Sequence, residues 1–520
     1  MLDTFNPCIT TETAFQWRIV RDFVAGEARV KNCGTFYLPK KSGSSDSDYE
    51  AYKTRGKVGD YTNQALETFH GQIMRKRPVV DIRGDEKMKP IIDDFNKEGD
   101  SFYQFASDVI HDNLQTFFGG ILVDMPVAGD NVRSEHDARE AGISPYARYY
   151  TAESIVDWDY KYVNGVQKLC MVELSETSRM RQLGTDSFMV ENRHRILELD
   201  DKGYYKVRIL VEAENDKKEK VFVPNGKDIY PKRDGKLLTF IPFFFTPYKL
   251  PEPSLLYGVA ELHKHYYLQS CDYENGVHMT TIPTGYVTGH MQEKDEDGHP
   301  VPIYLGKDMF LVFPEPDSKV GVLQFSGDGI EHCEKAIEQT LEQIGILGTR
   351  ALSPDKAMSE TSDAAKIHRT GENCKLGSYS RSMSEVFTKV LKCMAWWNGS
   401  DTNVSVALNT DFDSVAFDPN ALNAIANLAR EGKYPLPLVF EALKKGEYLP
   451  SDMDFREFGM LVSLEVSGAT VEEVIDAYQK MRSGEKVEPK KIVVEQLNKD
   501  RASNDKSPDQ TKQISMENGK

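Results

Sequence analysis

The order of segments in the second half of this chain constrains its fold more than any single motif. A helical pattern leads into a stretch of short strands, followed by a second helix, a polar loop and a long third helix. The first helix, "SLLYGVAELHKHYYLQSCDYENGVHM", carries Leu255, Val259, Leu262, Tyr266, Tyr273 and Val277 at helical spacing, with one weak turn. The segment "PTGYVTGHMQEKDEDGHPVPIYLGKDMFLVFPEPDSKVGVLQFSGDG" reads as short strands joined by polar turns. "GIEHCEKAIEQTLEQIG" is helical again: Ile330, Ile337, Leu341 and Ile344 form an apolar seam beside an acidic one of Glu331, Glu334, Glu338 and Glu342. Gly345 and Gly348 weaken its end, and "TRALSPDKAMSETS" follows as a polar loop. A long helix resumes near Asp363 and runs to "KVLKCMAWWNG".

The flanking regions differ in pattern. Residues 1 to about 125 read mostly as helix: "TTETAFQWRIVRDFVAGE" carries a Thr cap, and "SDSDYEAYKTRGKVGDYTNQALETFHGQIMRKRP" runs from a Ser/Asp cap to a basic end stopped by Pro78. Arg75, Lys76 and Arg77 are read there as cations favoured at a helix C-terminus, with phosphate contact as the weaker alternative. "ILVDMP" is a short apolar run of the buried-strand type. From about 145 to 250 the chain turns to strands. Asn164-Gly165 sits between two apolar runs as a hairpin signal, "LDDKGYY" repeats the device, and "KLLTFIPFFFTPY" closes what reads as one antiparallel β lobe. Residues 419 to 482 are helical in short pieces. Beyond about 495 the chain is polar and is expected to stay disordered.

Composition narrows the class. At 520 residues the chain is long enough for several lobes. Its longest apolar runs, "LLTFIPFFF" and "GGILVDMPVAG", fall short of the roughly 20 residues that span a bilayer, and no secretory pattern opens the sequence. A cytosol-like compartment is expected, with no membrane partner. Seven scattered cysteines, none in C-x-x-C spacing, argue against a disulfide framework or zinc ribbon and read as small buried hydrophobes. A formal charge of -17 disfavours tight nucleic-acid binding, because affinity for phosphate comes largely from Lys and Arg. Letting DNA pass remains compatible with it.

Enzyme signatures are absent: "YLGKDM" is not a P-loop, and "GGILVD" sets its glycines before the strand, the wrong order for a dinucleotide site. The best metal candidate, His263 and His265 near Glu261, His278 and Cys271, fails on geometry. Positions two apart on a helix point about 200° from one another. Those histidines are read as solvated or partner-facing. The acidic loop 293–299 lacks the spacing of a calcium loop. No catalytic residue, metal or cofactor is expected. The glutamate row has two readings from pattern alone. It is either the solvent face of an amphipathic helix, or a wall facing something negative that it repels.

Several stretches, in order over about residues 37 to 400, carry a resemblance. They are "YLPKKSGSSDSDYEAYKTR", "ETFHGQIMRKRP", "FFGGILVDMP", "ARYYTAESIVDWDY", "IPFFFTPY", "AELHKHYYLQSCDYENGVHMTTIPTGYVTG", "FSGDGIEHCEKAIEQTLEQIGILGTRAL" and "SETSDAAKIHRTGENCKLGS". With them the chain resembles the portal proteins of tailed bacteriophages, in particular a branch long catalogued as a family of unknown function. The resemblance implies an α+β portal fold assembled as a ring, usually a dodecamer, at one capsid vertex of the virion. Double-stranded DNA enters through its axis during packaging and leaves through it during ejection. Mapped onto this chain, 1–253 is the N-terminal part of the wing (helices 1–120, β lobe 145–250). Then 254–279 is the first stem helix, 280–328 the clip, 329–348 the second stem helix and 349–362 the tunnel loop. The rest of the wing is 363–418, the helical crown 419–482 and the tail 483–520.

On this reading Glu331, Glu334, Glu338 and Glu342 line the channel, and Arg350 and Lys356 in the tunnel loop are candidates for brief DNA contact. Tyr304, Phe310 and Phe313 are candidates for clip contacts with a partner or a neighbouring subunit. The implied partners are further copies of the chain, weakly bound DNA, terminase, a head-completion adaptor, and major capsid and scaffolding proteins, with assembly in the host cytoplasm. The rivals are another virion part, such as an adaptor or minor capsid protein, and a metal-dependent hydrolase built on His263 and His265. Adaptors are generally much smaller.

Overall fold

The computed structural model describes residues 9–126, 142–281 apart from 164, 182–187, 215–219 and 234, then 284–289, 316–323, 327–349, 362–412 apart from 411, 436–445, 453–466 and 470–482, with isolated positions elsewhere. The chain divides into two compact units, Met1–Phe412 and Asp413–Lys520.

The first unit opens with helices α1 (Thr11–Val24), α2 (Glu27–Asn32), α3 (Asp46–Arg55) and α4 (Tyr61–Met74), strand β1 (Val79–Asp81), and helices α5 (Lys89–Asp93) and α6 (Phe102–Thr116). Strands follow: β2 (Gly119–Asp124), β3 (Tyr146–Thr151), β4 (Ile155–Val163), β5 (Val166–Arg181), β6 (Phe188–Leu199), β7 (Tyr205–Glu214), β8 (Lys220–Pro224), the short pair β9 (Lys232–Arg233) and β10 (Lys236–Leu237), and β11 (Phe243–Thr246). Helix α7 (Tyr257–Thr281), the hairpin strands β12 (Thr284–Thr288) and β13 (Lys319–Leu323), and helices α8 (Asp328–Ile344) and α9 (Ser362–Trp397) lead to β14 (Ser405–Ala407).

Local chemistry sets several of these boundaries. Thr10 caps α1 by accepting from the Thr13 amide, and Ser45 opens α3 in a capping box with Asp48. The helical run expected to continue to Pro78 is broken between α3 and α4. There Gly56 lies so close to α7 that an added Cβ would stand 2.1 Å from the Cys271 Sγ. The chain has to leave the helix to make that contact.

The β lobe expected as one body is instead split. Strands β4 to β8 form a five-stranded antiparallel sheet in sequence order, whereas β11 leaves that region and pairs with β2 in a three-stranded sheet ordered β11-β2-β3. The cause is pattern. "ILVD" and "FFFT" are continuous apolar runs suited to burial on both faces, while β4 to β8 alternate and keep one face for solvent. Gly119 and Gly120 lie inside β2 rather than before it, and at Gly120 a Cβ would stand 2.0 Å from the Phe243 ring. They make room for an aromatic layer.

One core joins these parts. Trp17, Phe23, Phe102, Phe118, Ile121, Leu174, Phe245 and the α9 residues Tyr379, Phe387 and Met394 all belong to it. Asn113 ties three elements together, donating to the Thr246 carbonyl at 3.1 Å and accepting from the Tyr379 hydroxyl at 3.0 Å. The end of this unit returns to its beginning, with β14 antiparallel to β1. Among the described residues Cys33, Cys170, Cys271, Cys333 and Cys393 are free; Cys170, Cys271 and Cys393 are buried as expected, whereas Cys33 and Cys333 are only half-buried. Among the described residues no helix is long and apolar enough to cross a membrane.

The second unit contains α10 (Leu436–Lys445), α11 (Phe455–Val466) and α12 (Val471–Arg482). Phe440 packs against Phe455 and Phe458 at 5.6 and 5.3 Å between ring centroids. The expected helix at 419–433 and the tail beyond 482 lie outside the described residues, residue 427 aside.

Candidate functional site: an anchored helix pair with an acidic face

Helices α7 and α8 run antiparallel. At one end Ile330 packs over Gly276, in the middle the Thr340 hydroxyl donates to Gln269 Oε1 at 2.9 Å, and at the other end Leu347 lies over Gly258. Ile344 is buried and Leu341 packs on the core, while Ile330 and Ile337 are half-buried. The expected weakening at Gly345 takes the form of a π turn, Gly345–Thr349, continuing the helix rather than ending it. Between the two helices β12 and β13 pair as an antiparallel hairpin, with Tyr286 opposite Gly321.

The second seam of α8 carries the glutamates. Glu331, Glu334, Glu338 and Glu342 are all exposed and fall within an arc of about 80° at 100° per residue. Lys335 stands among them and pairs with Glu331 at 2.6 Å, an i,i+4 contact worth a few tenths of a kcal/mol at such exposure. Glu334, Glu338 and Glu342 have no ion-pair partner among the described residues. The acidic face therefore keeps most of its charge.

Helix α7 is held from the N-terminal region. Asp272 accepts from Lys41 Nζ at 2.8 Å and from the Tyr52 hydroxyl at 2.7 Å, and Lys57 pairs with Glu274 at 2.7 Å. Arg55 reaches Asn275 and His278. Deeper in, His263 is fully buried, which corrects its expected solvated or partner-facing position. Its Nε2–H donates to the Val58 carbonyl at 2.7 Å, so Nδ1 is the acceptor for the Thr62 hydroxyl at 2.8 Å. Burial pushes this imidazole down to about 4, so it is neutral near pH 7. The group is a core strut between α7 and the α3–α4 turn. His265, two residues on, is exposed and lies in hydrogen-bond contact with Gln269. Among the described residues no cluster of His, Cys, Asp and Glu can hold a metal ion.

The remaining candidates fall outside the description. Tyr304, Phe310, Phe313, Arg350 and Lys356 lie outside the described residues. The basic residues Arg75, Lys76 and Arg77 directly follow the last residue of α4, Met74.

A second polar centre was not anticipated. Glu176 on β5 is buried and accepts from the Tyr150 hydroxyl at 2.6 Å, Arg193 Nε at 2.6 Å and Arg195 Nε at 2.9 Å, joining the five-stranded sheet to β3. Burial alone would raise its carboxyl, but Arg195, Tyr150 and Arg193 outweigh that and hold it at about 2. The signal was in the alternation: Val172, Leu174 and Glu176 share one face of β5, opposite Leu197, Arg195 and Arg193. A carboxylate continuing an apolar face requires cations across the ladder.

A family model described as a domain of unknown function (DUF4055) matches residues 255–398, from just before α7 to just after the end of α9. Comparison with curated proteins gave no match. Among solved structures, the chain is similar to a chain from the neck of an empty GTA particle computed with C6 symmetry, at TM-score 0.34 and 10% identity, over 75% of this chain and 90% of that one. It is also similar to a chain from the virion of a native gene transfer agent (GTA) particle, at TM-score 0.32 and 12% identity, over 77% and 94%. Both scores lie below the level at which a shared fold follows.

Proposed function

We propose that the chain is a phage portal protein: copies form a ring at one capsid vertex, and DNA passes along its axis during packaging and ejection. The observation that carries this reading is the α7–α8 pair. It is an antiparallel helix pair bracketing a β hairpin, with one helix clamped to the body and the other turning an exposed acidic face away from its apolar contacts. The order of the sequence stretches on either side of that pair, described above, also supports it.

In the ring the α8 glutamates line the channel. Their work is physical: a wall of like charge to the phosphates, screened only over about 8 Å at physiological salt, holds DNA weakly and lets it slide. Arg350 and Lys356 supply brief phosphate contacts in the tunnel loop. Tyr304, Phe310 and Phe313 in the clip meet terminase during packaging, a head-completion adaptor afterwards, or the neighbouring clip. Major capsid and scaffolding proteins surround the ring in the virion. The proposal assigns no reaction to the chain.

Negative-stain images of the purified full chain test the assembly. Rings with an axial hole are expected, and monomers or closed shells overturn the reading. Replacing Glu331, Glu334, Glu338 and Glu342 together by Lys is expected to leave rings intact and to impair packaging or ejection. Normal packaging by that variant removes the channel role from α8.

A further inference from the structure

Helix α9 buries one side and presents a charged one. Tyr379, Met383, Phe387, Val390 and Met394 are buried in the core. Lys375, Ser378, Arg381, Glu385, Lys389 and Lys392 are exposed and, at 100° per residue, fall within an arc of about 120°. From Lys375 to Lys392 this face runs about 26 Å at 1.5 Å per residue. Strand β14 and residues 408–410 follow one flank, where Ser380, Ser384 and Thr388 bond their backbone, and that stretch carries no charge. Trp396 lies in the same arc, and the Arg233 guanidinium stands 4.4 Å from its ring centroid. This contact brings in the β9–β10 hairpin, where Lys232 and Lys236 are exposed.

Cations elsewhere on the helices are already taken up. Arg18, Arg21, Arg29 and Lys31 on α1 and α2, and Lys335 on α8, each form an ion pair at 3.4 Å or less. Lys375, Arg381, Lys389 and Lys392 have no ion-pair partner among the described residues, although Glu385 stands four positions from both Arg381 and Lys389. The exposed face therefore holds four cations and one acid. The hairpin adds Lys232, Arg233 and Lys236 against Asp234, which lies outside the described residues. With a screening length of about 8 Å at physiological salt, such a face keeps its own sign whatever the -17 of the whole chain.

We propose that this face of α9 binds the phosphate backbone of duplex DNA. The inference rests on the portal reading for the duplex it meets, and adds a contact opposite in sign to the α8 row. The chemistry of the face selects the occupant. Lysine and serine with no exposed apolar side chain in the arc fit a phosphate surface, whereas protein interfaces have apolar centres and are depleted in lysine. The four cations stand about 5 to 12 Å apart along the axis, too far to converge on one small anion and suited to successive phosphates. Trp396 is half-buried beneath Arg233, which leaves no stacking platform for single-stranded bases. Contacts of this kind respond to salt and not to base sequence.

Fluorescence anisotropy of the full chain with labelled duplexes, across salt concentrations, tests the assignment. Wild type is expected to bind duplexes of unrelated sequence alike, with affinity falling steeply between about 50 and 200 mM salt. K375Q/R381Q/K389Q/K392Q is expected to weaken binding about tenfold or more and to reduce the salt slope by about three to four, with an unchanged circular-dichroism spectrum. If that variant does not fold, K375Q and K392Q take its place, each lowering the slope by about one. E385Q is expected to move affinity the other way, by about twofold to threefold, because it removes a charge repelling phosphates roughly 7 Å away. Loss of structure gives no such gain. A full chain that binds no duplex at about 50 mM salt, or a folded quadruple variant that binds as wild type does, overturns the proposal. So does a variant that keeps its DNA affinity and loses assembly, which makes the face a contact between copies. Rings that bind duplex without this face overturn it and leave the portal reading standing. Monomers that bind duplex through it support it and overturn the ring.

Discussion

Helices α7 and α8 lie side by side and both carry acidic residues, yet the two sets of acids are treated differently. On α7, Asp272 and Glu274 are taken up by Lys41, Tyr52 and Lys57. On α8, Glu334, Glu338 and Glu342 have no ion-pair partner among the described residues, and only Glu331 has a lysine, from its own helix. The same residue type is a strut in one helix and a presented surface in the other. Asp272 and Glu274 are met by groups from residues 41–57, whereas Glu334, Glu338 and Glu342 are exposed.

The contrast is sharpest at the anchor of α7. Replacing His263 by Ala is expected to cost about 3 kcal/mol, since it leaves a cavity and strands the Thr62 hydroxyl and the Val58 carbonyl. Urea unfolding monitored by circular dichroism measures it, and a loss under 1 kcal/mol would mean that α7 is held elsewhere. The same residue predicts a pH dependence. Its pKa is depressed in the folded chain, so its contribution is complete above the unfolded value of about 6.5 and is lost as pH falls toward about 4. Within that window stability should fall by about 1.4 kcal/mol per pH unit on its account. His263→Gln should flatten the slope.

The next effect is steric. Gly56→Ala sets a methyl against Cys271 and is expected to cost about 2 kcal/mol, read as a lowered denaturation midpoint. A neutral result would show that the α3–α4 turn moves independently of α7. Smaller still is the clamp. Lys41→Met should cost under about 1 kcal/mol, because the Lys41–Asp272 pair is half exposed, and the difference should vanish in 1 M salt, taken as about a 3 Å screening length. The smallest effect is expected on α8. Replacing Glu334, Glu338 and Glu342 together by Gln should change stability by no more than about 0.5 kcal/mol. A larger loss means that these acids have structural partners, and the comparison fails.

Legibility followed the range of the interactions. Caps at Thr10 and Ser45, the Asn164-Gly165 hairpin, and the alternation of helix, strands, helix and long helix are local signals, and each was readable within a few residues. The glutamate row was readable as one helix face for the same reason. Glu176 left a trace in the period-2 pattern, but its arginines belong to the next strand and Tyr150 to another sheet. His263 left none. A histidine in a helix is compatible with solvent, partner or core, and pattern does not choose between them.

The sequence by itself determined the caps of α1 and α3, the order of helix, strands, helix and long helix in the second half, and that α8 has one apolar and one acidic seam, because these follow from periodicity and nearest neighbours. Only the tertiary structure decided that His263 is a buried strut, that "FFFT" leaves the strand-rich region to pair with β2, and that Asp272 and Glu274 of α7 meet groups from residues 41–57 while Glu334, Glu338 and Glu342 of α8 have no ion-pair partner among the described residues. Lys41 lies 231 positions from Asp272, and Val58 lies 205 from His263. Pairings over such separations depend on how the whole core packs, which no local pattern encodes.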